Sequence, residues 1–146
     1  MCDDLPIETT WKVRDNCLCL HAQRAARALA RRFDEALKPV GLTNGQFSLL
    51  MSLNRPEPPT IGSVSTLLAM DRTTLTANLK PLERRGLLEV KVDPADKRSR
   101  RLVLTAAGRE LLVAAMPIWE STHAEIHELI AGKDVERLLR DLRALS

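Results

Sequence analysis

Residues 71–105 of the 146-residue chain read DRTTLTANLKPLERRGLLEVKVDPADKRSRRLVLT. The first part predicts an amphipathic helix, because apolar side chains recur at steps of three and four residues at Leu75, Leu79 and Leu82. Asp71 is a good N-cap for this helix, and Gly86 ends it. Pro81 lies inside the helix, where it removes a backbone hydrogen bond and predicts a kink near residues 77–81.

The second part of this stretch has the two-residue period of a half-buried β-strand. Apolar and polar residues alternate on both sides of a basic turn. The turn begins at Asp93-Pro94-Ala95-Asp96, residue types that favour a chain reversal. An antiparallel hairpin is therefore predicted, with apolar positions at Leu88, Val90, Val92, Leu102 and Leu104.

Helical patterns also flank this stretch. Residues 11–37 predict one long helix that ends at Pro39 and Gly41, and its apolar stripe is Leu18, Ala22, Ala25, Leu29, Phe33 and Leu37. Thr105 predicts the start of another long helix, residues 106–130, which Pro117 should bend. Its apolar side is Leu111, Leu112, Ala115, Trp119, Ile126 and Leu129. After Gly132 and Asp134, a last helix is expected to bury Val135, Leu138, Leu139, Leu142 and Leu145.

Two short helices are predicted between the first long helix and residue 71. Thr43 and Gln46 have the spacing of a capping box, and the helix that follows should bury Phe47, Leu50 and Leu53. Thr60 caps the next helix, whose inward residues are Ile61, Val64, Leu67 and Leu68. The order of elements predicts a mainly α fold with a small β-hairpin, a winged helix-turn-helix. We expect one domain, 1–146, with a winged-helix lobe at 43–105.

Charge is concentrated in the same stretch. The net charge of the chain is +3, but residues 72–101 hold nine basic and four acidic residues, a net +5, which leaves −2 for the rest. A positive field confined to one segment is typical of a surface that binds a polyanion.

The polar face of the helix at residue 71 matches the chemistry of base reading. The major groove of DNA admits a helix and offers a distinct hydrogen-bond pattern for each base pair. Short polar side chains and long cations on the exposed face can contact those edges. The candidate contacts are Arg72, Thr73, Thr74, Thr76, Asn78 and Lys80.

The hairpin tip carries a second candidate DNA contact. Narrow minor grooves concentrate negative potential and attract inserted arginine, which favours Lys97, Arg98 and Arg100 as contacts. Asp96 would repel phosphate, so we expect it to orient a neighbouring arginine instead. Double-stranded DNA is the predicted partner.

Four segments together resemble the MarR family of bacterial regulators. They are Asp71–Thr76, Leu82–Leu88, Asp93–Arg100 and Leu104–Gly108, and the Asp-Pro-x-Asp, basic, Leu-Thr-x-x-Gly series is the most specific. The resemblance implies a homodimer in which residues 11–37 and 106–145 form the dimerisation region. It also implies a palindromic operator, repression, and release by a small aromatic or phenolic effector. The apolar stripes of both end segments, too wide for one winged helix to bury, agree with dimerisation.

Two kinds of switch follow from this resemblance. A pocket between the dimerisation helices and the DNA-binding lobe would be lined by His21, Arg24, Met51, Trp119 and His123. The alternative is thiol-based peroxide sensing, because Cys19 falls at the reactive position of the organic-hydroperoxide-sensing branch. That branch holds its cysteine with tyrosines, and this chain contains none. Cys17 and Cys19 should point to opposed faces of one helix, and Cys17 could share a face with His21.

Other functions have less support in the sequence. The chain has no nucleophile–base pair, glycine-rich phosphate loop or metal-ligand cluster, so we expect no enzyme activity, cofactor or metal. The acidic N-terminus, Met1 to Pro6, has no apolar signal core, and no segment resembles a membrane span, which predicts a cytoplasmic protein. A winged helix used only for protein or RNA contact remains the alternative from another class.

Overall fold

The computed structural model describes residues 5–146, so most of the acidic N-terminus, Met1–Asp4, lies outside the described residues. In this part of the chain, no helix is long and apolar enough to cross a membrane. The helices are α1 (Ile7–Asn16), α2 (Leu18–Leu37), α3 (Asn44–Ser52), α4 (Ile61–Leu68), α5 (Arg72–Arg84), α6 (Ala106–Leu129) and α7 (Val135–Ala144). The strands are β1 (Leu88–Val92) and β2 (Arg100–Leu104), and short 3-10 turns occur at Lys38–Val40 and Ala131–Lys133.

The predicted winged helix-turn-helix is confirmed. Helices α3, α4 and α5 precede an antiparallel hairpin in which Leu88 pairs with Leu104 and Val92 pairs with Arg100. The loop before α4 pairs with strand β2 of this hairpin, because the carbonyl of Pro59 accepts the Leu102 amide at 2.9 Å. The wing is therefore attached to the start of α4 as well as to α5.

One aliphatic core joins the lobe to the long helices α2 and α6. Phe33 and Leu37 of α2 and Leu112, Ala115 and Ile126 of α6 belong to the same buried cluster as the lobe residues. The cluster's largest fully buried side chains are Leu37, Leu49, Leu50, Leu75, Leu82, Leu88, Leu102 and Val64. Most members of the cluster are leucines, in keeping with a composition that has 3% aromatic residues.

The predicted helix caps are confirmed by their hydrogen bonds. The Thr43 hydroxyl accepts the Gln46 amide at 3.1 Å, and the Gln46 side chain accepts the Thr43 amide at 3.1 Å. Thr60 accepts the Ser63 amide at 3.1 Å, and Asp134 caps α7. Each bond satisfies an amide that the first helical turn leaves without a backbone partner.

The single helix predicted for residues 11–37 is wrong in one respect. Helix starts earlier, at Ile7, and is interrupted at Cys17, whose backbone is extended (φ −75°, ψ 108°). The Cys17 thiol accepts the Leu20 amide at 3.4 Å and so acts as the N-cap of α2. Cys17 and Cys19 therefore do not lie on opposed faces of one helix, because Cys17 is outside it. The apolar period runs through the break, and nothing in that period marks it.

Several residues predicted to be inward are exposed in the single chain. Leu67 of α4 is 60% exposed, because Val64 provides the buried contact of that short helix. Leu18 is 71% exposed and Leu129 is 64% exposed. No residue of α7 is buried, and its leucines at 138, 139, 142 and 145 all face solvent. Their apolar stripe has the predicted spacing, but no element within residues 5–146 covers it.

Helix α6 starts against the turn that ends α5. Thr105 donates its hydroxyl to the Gly86 carbonyl at 2.7 Å and accepts the Gly108 amide at 3.1 Å. The Thr105 amide donates to the Leu87 carbonyl at 3.2 Å. A Cβ at Gly108 would lie 2.1 Å from that same carbonyl oxygen, which is closer than any real contact. Only a glycine at position 108 allows α6 to lie this close to the backbone at Leu87.

Gly108→Ala should lower the free energy of unfolding by about 1–3 kcal/mol, because the added methyl group forces two backbones apart. Chemical denaturation followed by circular dichroism measures the change. Gly45→Ala is the matched control, since a Cβ at helical Gly45 meets nothing within 4 Å and should leave stability unchanged or slightly raised. Equal stability of the two variants would contradict the close approach at Gly108.

Candidate nucleic-acid interface

Helix α5 is positioned by a cap at its start and by a buried stripe along one side. The Asp71 carboxylate accepts the Thr74 amide at 2.8 Å and the Thr74 hydroxyl at 2.7 Å. These hydrogen bonds hold the pKa of Asp71 below its ordinary value. Leu75, Leu79 and Leu82 are buried beneath the helix. The opposite side of α5 is therefore held outward in a defined orientation.

Part of the predicted reading surface lies on one exposed face of α5. Four candidate residues line a shallow concavity together with Ala77; they are Arg72, Thr73, Thr76 and Lys80. The Arg72 guanidinium also lies over α4, because one of its nitrogens would be 3.1 Å from a Cβ at Gly62. The concavity thus offers two hydroxyl groups flanked by two long cations.

Two other predicted contacts are placed differently. The Thr74 hydroxyl is already used in the cap with Asp71. Asn78 is exposed but lines a separate hollow with residues at the start of α3, including Thr43 and Gln46.

Pro81 lies in a helix that continues to Arg84, and the expected kink stays a prediction.

The end of α5 is tied to the turn before α3. Arg85 donates from Nη1 to the Gly41 carbonyl at 2.9 Å, and both Gly41 and Gly86 have left-handed backbone, with φ of 68° and 70°. Leu87 then donates its amide to the Leu82 carbonyl at 3.0 Å and closes the helix. This contact sets where the chain leaves α5 and enters the hairpin.

The wing contains an ion pair that sequence reasoning missed. Asp93 is buried, and its carboxylate lies 3.1 Å from Nε of Arg101 on the opposite strand. The same carboxylate accepts the Ala95 amide at 3.0 Å, while Arg101 also donates to the Pro58 carbonyl at 2.9 Å. Asp93 was predicted only as a turn residue and Arg101 only as part of the positive charge. Their pairing joins the base of the wing to the loop before α4.

The wing tip is arranged by backbone hydrogen bonds. Asp96 accepts the Arg98 amide at 2.9 Å through its side chain and the Ser99 amide at 2.9 Å through its carbonyl. It therefore orders the backbone that carries Arg98, rather than pairing with an arginine side chain. Arg100 donates to the Lys97 and Ser99 carbonyls at 3.1 and 3.2 Å. The Lys97, Arg98 and Arg100 side chains are all exposed.

The five predicted effector-pocket residues lie on three helices, α2, α3 and α6. Trp119 and His123 stack on α6 with ring centroids 4.6 Å apart. Met51 lines a different cavity of about 300 Å³ with Phe47, Ser48, Ser52, Leu67 and Leu68. His21 is exposed and contacts the Arg14 carbonyl at 2.9 Å, and Arg24 is exposed on α2. The predicted effector pocket as a whole stays a prediction.

Comparison with known proteins identifies the family. The model of the MarR family matches residues 42–99, which is the segment from the start of α3 to the wing. The transcriptional regulator HosA of Escherichia coli O111:H- is 34% identical over 106 residues, covering 71% of this chain and 77% of HosA. This chain belongs to the MarR family.

Solved structures agree with this assignment. The Mycobacterium tuberculosis transcriptional regulator MosR in complex with DNA is 38% identical, with a TM-score of 0.81 over 89% of this chain and 93% of MosR. CouR of Rhodococcus jostii RHA1, a transcriptional repressor bound to a 23-mer DNA duplex, is 30% identical, with a TM-score of 0.80 over 91% of this chain and 94% of CouR. The chain is a winged-helix transcriptional regulator that binds DNA, and the relatives named here are regulators rather than enzymes.

The Asp93–Arg101 pair allows a test in which the change of net charge and the loss of wing positioning predict opposite changes in DNA affinity. Asp93→Ala removes a negative charge, which by itself should tighten binding to DNA. We expect weaker binding instead, by about 1 kcal/mol or more, because the wing loses the contact that holds its base. Fluorescence anisotropy with labelled duplex measures the affinity.

Glu89→Ala is the matched control for this test. It removes a carboxylate from the same hairpin, but Glu89 is exposed and pairs only with Lys91. Its DNA affinity should be equal to that of the wild type or slightly higher. An Asp93→Ala variant that binds as tightly as Glu89→Ala would show that the buried pair does not position the wing.

Proposed function

We propose that this chain is a homodimeric repressor that binds a palindromic operator and releases it when a small molecule binds. The observation that supports DNA reading is the exposed face of α5, which holds Arg72, Thr73, Thr76 and Lys80, together with the exposed cations of the wing. Thr74 and Asn78 are proposed as further contacts at the edges of this face. Lys97, Arg98 and Arg100 are proposed to enter the minor groove or contact its phosphate walls.

The unburied apolar stripes support a homodimer. Trp11 of α1, Leu18 of α2 and the α7 leucines expose apolar area that a chain of this size rarely leaves in water. A second copy related by a two-fold axis would present the same stripes and cover them reciprocally. Two recognition helices would then lie about one helical turn apart on DNA, which calls for a palindromic site.

An unbiased selection of bound DNA followed by gel-shift titration tests this function. We expect a palindromic consensus, and affinity that falls steeply with salt as phosphate contacts release counterions. Sedimentation should give twice the 16.3 kDa mass of one chain. Binding with no preference for any palindrome over random DNA would instead support the alternative, a winged helix used for protein or RNA contact.

The wing contact is tested at Arg98, whose side chain is exposed and whose amide is held by Asp96. Arg98→Ala should weaken operator binding by about 1–3 kcal/mol and reduce the salt dependence by about one phosphate contact. Helix content, measured by circular dichroism, should not change. Lys133→Ala, which removes a cation from the turn between α6 and α7, should leave affinity unchanged. Retained affinity in Arg98→Ala would mean that the wing tip is only solvated.

A small aromatic or phenolic effector is proposed from the stacked pair of Trp119 and His123. These rings are half-buried on α6, where a planar ligand could extend the stack. Met51, His21 and Arg24 stay proposed as further members of such a site. A thermal-shift screen of small aromatic acids should find compounds that raise the melting temperature and weaken operator binding.

Oxidation of Cys19 is the alternative trigger. Its thiol is exposed and therefore reachable by peroxide, and Gln23 donates to it at 3.2 Å. Under this alternative, Cys19→Ser abolishes peroxide-induced release of DNA. Cys17→Ser is the matched control, because a serine hydroxyl can still accept the Leu20 amide and cap α2. Release that persists in Cys19→Ser would exclude Cys19 as the sensor.

A further inference from the structure

Two histidines one helical turn apart face each other on α6. Nδ1 of His123 lies 2.9 Å from Nε2 of His127, and the rings meet at 76° with centroids 4.8 Å apart. Residues four apart share one face of a helix, so the backbone itself holds the two imidazoles together. Two ring nitrogens at this separation can share a proton or bind one ion.

The surroundings of the pair are partly apolar. Both histidines are half-buried, and His123 contacts Trp119 at 4.6 Å and Phe33 of α2 at 6.1 Å between centroids. A metal ion binds the neutral form of an imidazole through the lone pair of a ring nitrogen, so the ion and protons compete for this site.

The distance between the nitrogens indicates which geometry the ion would have. With metal–nitrogen bonds of about 2.0–2.1 Å, a separation of 2.9 Å corresponds to an angle of roughly 90° at the metal. A tetrahedral zinc ion would need the nitrogens roughly 0.4 Å further apart. The right angle instead matches neighbouring positions of a tetragonal or octahedral ion, as Ni²⁺ and Cu²⁺ adopt with imidazole ligands.

We propose that His123 and His127 form a two-imidazole site for a divalent ion of the Ni²⁺ or Cu²⁺ type. The ion binds both nitrogens in place of the hydrogen bond between them. The ring that donated this hydrogen bond then carries its proton on its other nitrogen, as the second tautomer. Among residues 5–146, no third His, Cys, Asp or Glu joins the pair. Water fills the remaining coordination positions. This site is separate from the proposed operator binding and does not depend on it.

Ion binding at the pair should stabilise the end of α6. The two ligands lie in the last turns of a helix that ends at Leu129, so a shared ion links two successive turns. An ion that binds only the folded chain raises the melting temperature with its concentration. The stabilised segment is followed by the 3-10 turn Ala131–Lys133 and then by α7.

The test uses the full chain, first stripped with a chelator and kept in a non-thiol reductant. Adding Ni²⁺ should raise the melting temperature, and calorimetric titration should give one ion per chain. His123→Gln and His127→Gln should each lose the Ni²⁺-induced shift. Circular dichroism and melting without metal establish that each variant is folded.

His21→Gln is the matched control, because it removes the remaining histidine of a chain that contains three. It should keep the Ni²⁺-induced shift. Loss of the Ni²⁺-induced rise in melting temperature only in His21→Gln would place the site near Cys17 and overturn the proposal. The absence of any Ni²⁺-induced rise in the wild type would also overturn it.

A measurement on the wild type does not depend on how the variants fold. Paramagnetic Ni²⁺ broadens the resonances of the groups it binds. In imidazole ¹H–¹⁵N spectra, substoichiometric Ni²⁺ should broaden His123 and His127 before His21. Uniform broadening of all three histidines would show that the ion does not select the pair.

Discussion

The carbonyl of Leu87 is the point on which the arrangement of this molecule depends. It accepts the Thr105 amide, and Gly108 approaches it so closely that no side chain fits between them. The end of α5, both ends of the hairpin and the start of α6 therefore meet within a few ångströms. Because Thr105 also donates its hydroxyl to Gly86, the start of α6 is hydrogen-bonded to the turn that joins α5 to the hairpin.

The wing is built in two parts with different physical roles. Its base is an ion pair between the buried Asp93 and the half-buried Arg101, which also donates to the Pro58 carbonyl. Taking a carboxylate out of water is costly, and this one is offset by the guanidinium and by the Ala95 amide. The tip is exposed, and it is ordered by hydrogen bonds from the Arg98 amide to the Asp96 side chain and from the Arg100 side chain to the Lys97 and Ser99 carbonyls.

Helix α6 carries several features on different faces. Leu112, Ala115 and Ile126 enter the core shared with the DNA-binding lobe. Trp119, His123 and His127 form a half-buried row of rings beside Phe33 of α2. Helix α7 follows with an apolar stripe that its own chain leaves uncovered. The helix thus connects the DNA-binding lobe to the surface proposed for dimerisation.

The sequence by itself determined the elements, because their signals are local. The capping box at Thr43, the Asp71 cap and the alternation of the hairpin each depend on residues within a few positions, and all were predicted correctly. The exposed candidates on α5 and at the tip also followed from period and charge. The break at Cys17 was missed, because the apolar period continues through it.

Only the tertiary structure decided which distant residues meet. The pairing of Asp93 with Arg101 and the approach of Gly108 to Leu87 bring together residues of different segments. The pattern of α7 marked an apolar face, but burial depends on what covers that face, and no element within residues 5–146 does so. Periodicity shows which side of an element is apolar, while packing between elements determines what lies against it.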